Sequence, residues 1–221
     1  MTTFFLDDTI SVHVYPRTLV CTSSCFDELW NFSETIPRAS NPMNPPKPGT
    51  KETPGQFLKR KQATFGSSYS FGAQTSIAIT TPENTWPTAV QMALDDARNR
   101  VDSEFKNLYN VVHTNWYPDG SAGLAPHSDN EDQMVAGLPI FSYTLLSQPG
   151  NPRGFQIYNK TEYKRNKKAP PIEDIQLNHG DLLIMAGEMQ DHYMHGVKAS
   201  TAKKFNQLKR INLTVRAWKQ S

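Results

Sequence analysis

In the stretch GLAPHSDNEDQM, residues 123–134, His127 and Asp129 stand one residue apart. On extended backbone, residues i and i+2 point to the same side, so this imidazole and this carboxylate address one cavity. Two histidines and one carboxylate on a single face leave metal positions open, the arrangement that suits non-haem Fe(II) oxygenases. A second histidine is therefore required. His195, in HYMHGV, is favoured: it opens a strand after the GDLLIMAG turn and would face His127 across a barrel. His13 and His113 precede the pair, His179 sits in the turn NHGD, and His192 is only a neighbour of the better choice.

A second constellation lies near the C-terminus. In RINLTVR, Arg210, Asn212, Thr214 and Arg216 alternate with Ile211, Leu213 and Val215. A polar stripe with two arginines inside a β core is costly unless it meets an anion. Guanidinium forks match carboxylates, so a dicarboxylate would take one at each end. The alternative is an edge strand whose charges face water. Asn115 and Tyr117, in NWY, form a second polar stripe on another strand.

The elements that must position these groups follow from periodicity. ISVHVYPRTLV alternates, and SSCFDELWNFSE places Phe26, Leu29, Trp30 and Phe32 on one face of a short helix. Residues 36–55 hold many prolines and almost no large apolar side chain, which reads as an extended insertion without its own core. TFGSSYSFG reads as a strand or hairpin carrying Phe65, Tyr69 and Phe71. The clearest helix is TPENTWPTAVQMALDDARNRVDSEF, with Trp86, Val90, Leu94, Ala97, Val101 and Phe105 at helical spacing and Asn84 or Thr85 as cap.

After it come short β-branched or aromatic segments: YNVVHTNWY, LPIFSYTLL, GFQIYNK, DIQLNHG, DLLIMAGEM, HYMHGVKA and RINLTVRAW. Helices first and regularly spaced strands afterwards predict an α+β domain on a β-sandwich or jelly-roll core. The expected division is an N-terminal extension over 1–108, holding the helices, the insertion and the hairpin, and a jelly-roll core over 109–221. The two form one structural domain.

The chain has 221 residues, 37% hydrophobic and 20% charged, with a net charge of +2. No global field draws it onto nucleic acid, so such binding must use local basic faces. Those are KRKQ (59–62), KRNKK (164–168) and KASTAKKFNQLKR (198–210). No apolar run reaches the ~20 residues needed to span a bilayer. A soluble intracellular protein is expected, nuclear, cytoplasmic or virus-encoded, acting as a monomer away from membranes. Cys21 and Cys25 in CTSSC are read as ordinary free thiols rather than a metal or disulfide pair.

NWYPDGSAGLAPHSDNED, HGDLLIMAGEMQDHYMHGV and RINLTVR together resemble the AlkB family of Fe(II)- and 2-oxoglutarate-dependent nucleic-acid dealkylases. The order N-x-Y, H-x-D, H, R-x-N-x-T-x-R is nearly complete, and RKQATFG with YSF is similar to the substrate-facing hairpin of the eukaryotic repair members. The resemblance runs from about residue 57 to the C-terminus and implies a double-stranded β-helix with a substrate-recognition hairpin.

It also implies roles. His127, Asp129 and His195 would hold Fe(II), and Asn115, Tyr117, Arg210, Asn212, Thr214 and Arg216 would line the 2-oxoglutarate pocket. The triad and Arg216 form the expected catalytic set. Tyr69, Phe71, Asn130, Glu131 and Arg165 are the expected substrate contacts, with Glu131 near the exocyclic amine of the base. Two departures stand out: the Pro-rich insertion replaces the segment where repair members carry an intercalating finger, and Leu146 replaces a family glycine.

The implied reaction is oxidative demethylation of bases such as 1-methyladenine and 3-methylcytosine in DNA or RNA. It uses Fe(II), 2-oxoglutarate and O2, with ascorbate as a supporting reductant. The base must be flipped out or come from a single strand. Two other readings stand beside it: the same cofactors acting on a protein or small molecule, and a silent nucleic-acid-binding module.

Overall fold

The computed structural model describes residues 1–39, 49, 57–67, 69–71, 74–186 and 188–219, with backbone only at 69–71 and 74–75. Most of the Pro-rich insertion expected over 36–55 lies outside the described residues.

Strands β1 (Thr2–Phe5) and β2 (Ser11–Tyr15) open the chain, followed by helix α1 (Ser23–Phe32). Then come β3 (Lys61–Phe65), β4 (Tyr69–Phe71), β5 (Gln74–Ile79) and α2 (Thr88–Asn99). The C-terminal half holds β6 (Tyr109–Tyr117), β7 (Leu124–His127), β8 (Ile140–Leu146), β9 (Arg153–Asn159), α3 (Lys160–Arg165) and β10 (Glu173–Leu177). It ends with β11 (Asp181–Met185), α4 (Met189–His192), β12 (Tyr193–Val197) and β13 (Arg210–Ala217).

The strands form two sheets, ordered β1-β2-β11-β8-β13-β6-β3-β5-β4 and β10-β9-β12-β7. This is the expected mixed α+β, jelly-roll arrangement. Strands from the first 108 residues extend the large sheet at both ends, so extension and core share one hydrogen-bonded layer.

Register explains how one sheet serves two purposes. Across β3, β6, β13 and β8, rows such as Phe65, Val112, Val215 and Phe141 point to one face. They pack with Leu29, Val90 and Leu94 of α1 and α2 into the main core. Trp116 Nε1 donates to Leu29 O at 3.0 Å, and the Tyr143 hydroxyl donates to Asp96 Oδ2 at 2.7 Å, docking the two helices on that face. The intervening rows, Gln62–Asn115–Asn212–Thr144 and Thr64–His113–Thr214–Ser142, point the other way, between the sheets. The space between the sheets is thus divided. At the β2–β11–β8 side it is filled by Val12, Val14, Leu183 and Met185 against Phe155, Ile157 and Ile175. At the β13–β6–β3 side it is polar.

Three sequence expectations need correction. The long helix ends at Asn99, and Val101 and Phe105 reach the core from the turn that follows. Neither Asn84 nor Thr85 caps it: Pro87 occupies the N-cap, and the Glu28 carboxylate of α1 accepts from Thr88 N at 3.3 Å. A carboxylate at an open helix N-terminus does the work of a local cap. Finally, β3 does not form a hairpin with β4: it pairs in parallel with β5, and β4 folds back on β5.

Candidate metal and cosubstrate site

His127 and Asp129 leave the end of β7, an edge strand of the small sheet, and the loop is held at several points. Ser128 Oγ donates to Tyr193 O at 2.7 Å, and Asp129 N donates to Gln190 Oε1 at 2.8 Å. His195 lies directly opposite His127 on the neighbouring strand β12, with ring centroids 4.4 Å apart. The two histidines are therefore neighbours on adjacent strands, not partners across the barrel. Phe155 stacks on His195 at 5.1 Å and fixes its plane.

One ligand atom from each of His127, Asp129 and His195 lies within 4.8 Å of the others, the one such group of three among the described residues. His127 Nε2 is 3.3 Å from Asp129 Oδ1, and His195 Nε2 is 4.0 Å from Asp129 Oδ2. The Ala125 carbonyl stands 3.0 Å from His127 Nδ1. A proton on Nδ1 satisfies that carbonyl and leaves the Nε2 lone pair facing the carboxylate, as metal ligation requires.

Electrostatics suits the same use. Burial, reinforced by His127, pulls His195 down to about 3, so it is a neutral imidazole at ordinary pH. Burial alone would raise the Asp129 carboxyl, but the Arg216 guanidinium in contact with it overcomes this and holds it well below the usual range. The neutral His195 imidazole, the His127 Nε2 and the anionic Asp129 carboxylate form a donor set for a divalent cation of the Fe(II) type.

Beside the triad lies the polar face of the large sheet. Arg210, Asn212, Thr214 and Arg216 are all buried on β13, which runs between β6 and β8, so the exposed-edge alternative is excluded. Arg216 Nη2 donates to Asp129 Oδ2 at 2.6 Å. Arg210, 1% exposed, lies 4.9 Å over the Tyr117 ring and donates from Nη2 to Thr144 Oγ1 at 3.2 Å. Its Nε and Nη1 make no hydrogen bond of good geometry among the described residues. Burial lowers its pKa while neighbouring Tyr117 favours the charged form. Asn115 and Tyr117 face the same pocket.

Sequence reasoning missed Arg60 and Gln62 as pocket residues. In the sequence they belong to a basic run, KRKQ, suited to phosphates. Instead Arg60 turns inward, donating from Nε to Asn115 Oδ1 at 2.9 Å and from Nη2 to Gln62 Oε1 at 3.2 Å. Lys61 points to the opposite face and donates to Ser33 O at 2.8 Å. No local signal marked them: it is the pairing of β3 with β6 that puts Gln62 opposite Asn115 and turns Arg60 to the same side. His113 also lines the pocket, but its Nδ1 meets Thr64 Oγ1 at 2.8 Å and it stands outside the triad.

The expected substrate contacts are less assembled. Asn130 and Glu131 line a cavity of about 200 Å³ that reaches Asp129. Arg165 is exposed at the end of α3. Tyr69 and Phe71 belong to β4 at the far edge of the large sheet, and their side chains lie outside the described part of the structure.

The sequence from residue 28 to residue 216 matches the 2OG-Fe(II) oxygenase superfamily. The chain belongs to that superfamily. The superfamily's name carries the metal and cosubstrate that the triad and the arginine stripe point to. Within it, the chain is 31% identical over 163 residues to the DNA oxidative demethylase ALKBH2 of Mus musculus, covering 72% of this chain and 62% of that protein. It is 29% identical over 163 residues to the Homo sapiens ALKBH2, covering 72% and 56%. It is also 28% identical over 122 residues to the alpha-ketoglutarate-dependent dioxygenase alkB homolog 3 of Mus musculus, covering 54% and 40%. The AlkB resemblance is thus borne out, although each match spans less than two thirds of the relative's own length. Among solved structures, "The structure of OsALKBH1" matches with a TM-score of 0.50 and 19% identity, covering 93% of this chain and 97% of that one, which speaks for the fold.

Proposed function

We propose that this chain removes N-alkyl groups from bases such as 1-methyladenine and 3-methylcytosine in DNA or RNA. In the overall reaction, the N-methyl base, 2-oxoglutarate and O2 give the free base, formaldehyde, succinate and CO2. The observation that carries the reading is the buried stripe on β13. One end, Arg216, is tied to the triad through Asp129, and the other, Arg210, is a buried cation with no carboxylate within ion-pair distance among the described residues. A dicarboxylate lying along the stripe would reach from the triad to Arg210 and give that buried cation its counter-charge.

When bound, Fe(II) with 2-oxoglutarate supplies the oxidising chemistry, which is the cofactor pair's own. The protein supplies position. His127, Asp129 and His195 would hold the metal; Arg210, Tyr117, Asn115, Asn212 and Thr214 would fix the cosubstrate. Arg216 keeps Asp129 anionic and oriented. Tyr69, Phe71 and His127 would hold a flipped base, with Glu131 opposite its cationic edge and Asn130 and Arg165 at the rim. A ring-methylated base is cationic and pairs poorly, which lowers the cost of extrusion. The DNA oxidative demethylase name of the ALKBH2 relatives supports this substrate class.

The test is mass spectrometry of oligonucleotides carrying single methylated bases after incubation with Fe(II), 2-oxoglutarate and ascorbate. Loss of the methyl group with matching succinate is expected. Succinate formation stimulated by a methylated peptide but by no oligonucleotide would move the chain to the protein-substrate reading. Absence of any succinate would make it a silent binding module.

A further inference from the structure

The strands that carry His127 and His195 have a second face. On β9, Phe155 and Ile157 point into the core, so Gln156 and Tyr158 point outward, as Gly196 does between His195 and Val197 on β12. Against this outer face stand α3 and the segment after it, and between them runs a trough of about 650 Å³. Its other rim is the edge strand β7, through Pro126, the residue before His127. Three lysines line it, Lys167 and Lys168 on one wall and Lys198 on the other, and no Asp or Glu does. All three are exposed, and among the described residues none has a carboxylate within ion-pair distance. Two aromatic rings complete the lining: Tyr158 and Tyr163 lie 5.0 Å apart at 55°, and the Lys167 ammonium sits 4.7 Å over Tyr163.

We propose that this trough takes a stretch of unpaired nucleic-acid strand flanking the target base, with phosphates on the lysines and bases against the tyrosines. The inference rests on the nucleic-acid reading above and sharpens it to single-stranded substrate. Solvated lysines alone carry little information. Here they converge from two walls on one concavity free of carboxylates, with no counter-charge of their own. The tyrosines decide the kind of polyanion. A duplex hides its base faces in its own stack, whereas an unpaired strand offers each base to an aromatic side chain. An acidic peptide would use the lysines but have no need of the rings. The position fits too: the rim of the trough is the edge strand β7, one residue from a ligand of the metal, so a strand leaving the site reaches the trough by passing over that edge.

The experiment follows binding of a fluorescent single-stranded oligodeoxynucleotide carrying one 3-methylcytosine, across a series of KCl concentrations. The variants are Lys167→Gln/Lys168→Gln/Lys198→Gln together, and Tyr163→Ala with Tyr163→Phe as control; melting temperature checks their fold. Each lysine–phosphate pair removed should lower the slope of log affinity against log salt by about 0.7, so the triple variant should flatten it by about 2. Tyr163→Ala should weaken single-strand binding about tenfold, Tyr163→Phe little, and neither should change binding of the matching duplex. An unchanged salt slope in a normally folded triple variant overturns the proposal. Equal losses for single strand and duplex in Tyr163→Ala overturn it as well, and so does competition by poly-glutamate as effective as that by unmethylated single strand. If the wild type neither binds nor demethylates any oligonucleotide, the broader reading falls. If it does both and the triple variant matches it, only the trough falls.

Discussion

Replacing Arg210 with methionine should make the protein more stable and less able to bind its cosubstrate. The guanidinium is 1% exposed, and of its donors Nη2 alone makes a hydrogen bond of good geometry, to Thr144. Its two unsatisfied donor atoms, Nε and Nη1, each cost about 1–3 kcal/mol in a buried site. Against this stand the packing on the Tyr117 ring, worth about 0.5–2 kcal/mol, and the Thr144 hydrogen bond, worth about 1 kcal/mol. Methionine keeps most of the stem volume over Tyr117 and removes the unsatisfied donors. At the middle of these ranges the balance is a gain of about 2 kcal/mol, and for a chain of this size each 1 kcal/mol moves the melting temperature by about 2–4 °C.

The cosubstrate works in the opposite direction. Removing one partner of a desolvated charge pair costs about 2–5 kcal/mol, a loss of affinity from about 30-fold to several thousand-fold. The assay is a thermal melt with and without 2-oxoglutarate and Mn(II), paired with calorimetric titration. Wild-type protein should melt lower alone and gain about 2.7 kcal/mol of stability at one hundred times its dissociation constant; the variant should start higher and gain almost nothing. A variant that melts below wild type without ligand would show that the guanidinium's existing interactions outweigh its missing ones. Unchanged affinity for 2-oxoglutarate would show that the stripe does not bind it.

Asp129→Asn keeps the shape of the side chain but leaves Arg216 beside a neutral amide, so it should destabilise the fold by about 3–5 kcal/mol and abolish the Mn(II)-dependent rise in melting temperature. Gly66→Ala should destabilise by well over 1 kcal/mol in denaturant titration, because Gly66 has φ +101° and a Cβ would run into the Asn110 carbonyl. Gly137→Ala, at φ +78° with nothing within 4 Å, should carry only the backbone strain and lose about 1 kcal/mol. At Asp7, hydrogen bonds from the Tyr193 hydroxyl at 2.7 Å and from Thr9 and Ile10 backbone amides hold the carboxyl below its ordinary 3.8. A depressed folded pKa gives a contribution present above about pH 3.8 and lost as the pH falls through the folded value. Unfolding curves of wild type and Asp7→Asn should therefore differ at neutral pH and converge in acid.

How much of this was legible before the structure depended on range. Alternation within one strand is local, so RINLTVR alone declared that Arg210, Asn212, Thr214 and Arg216 share a side, and H-x-D declared a pair of donors. The order of the motifs was enough to assign the superfamily. The sequence could not say that β13 is flanked on both sides, which turned its stripe from a wet edge into a buried pocket wall. Nor could it place His195 beside His127 rather than across from it, because strand neighbours are chosen by the whole sheet and not by either strand. Arg60 shows the same limit most clearly. Within KRKQ it reads as one more solvated cation, and only pairing of β3 with β6 carries it inward onto Asn115 while Lys61 turns to the opposite face. Which residues a strand offers to each side is written in two-residue steps along the chain; which side becomes the inside is decided when strands distant in sequence hydrogen-bond to one another.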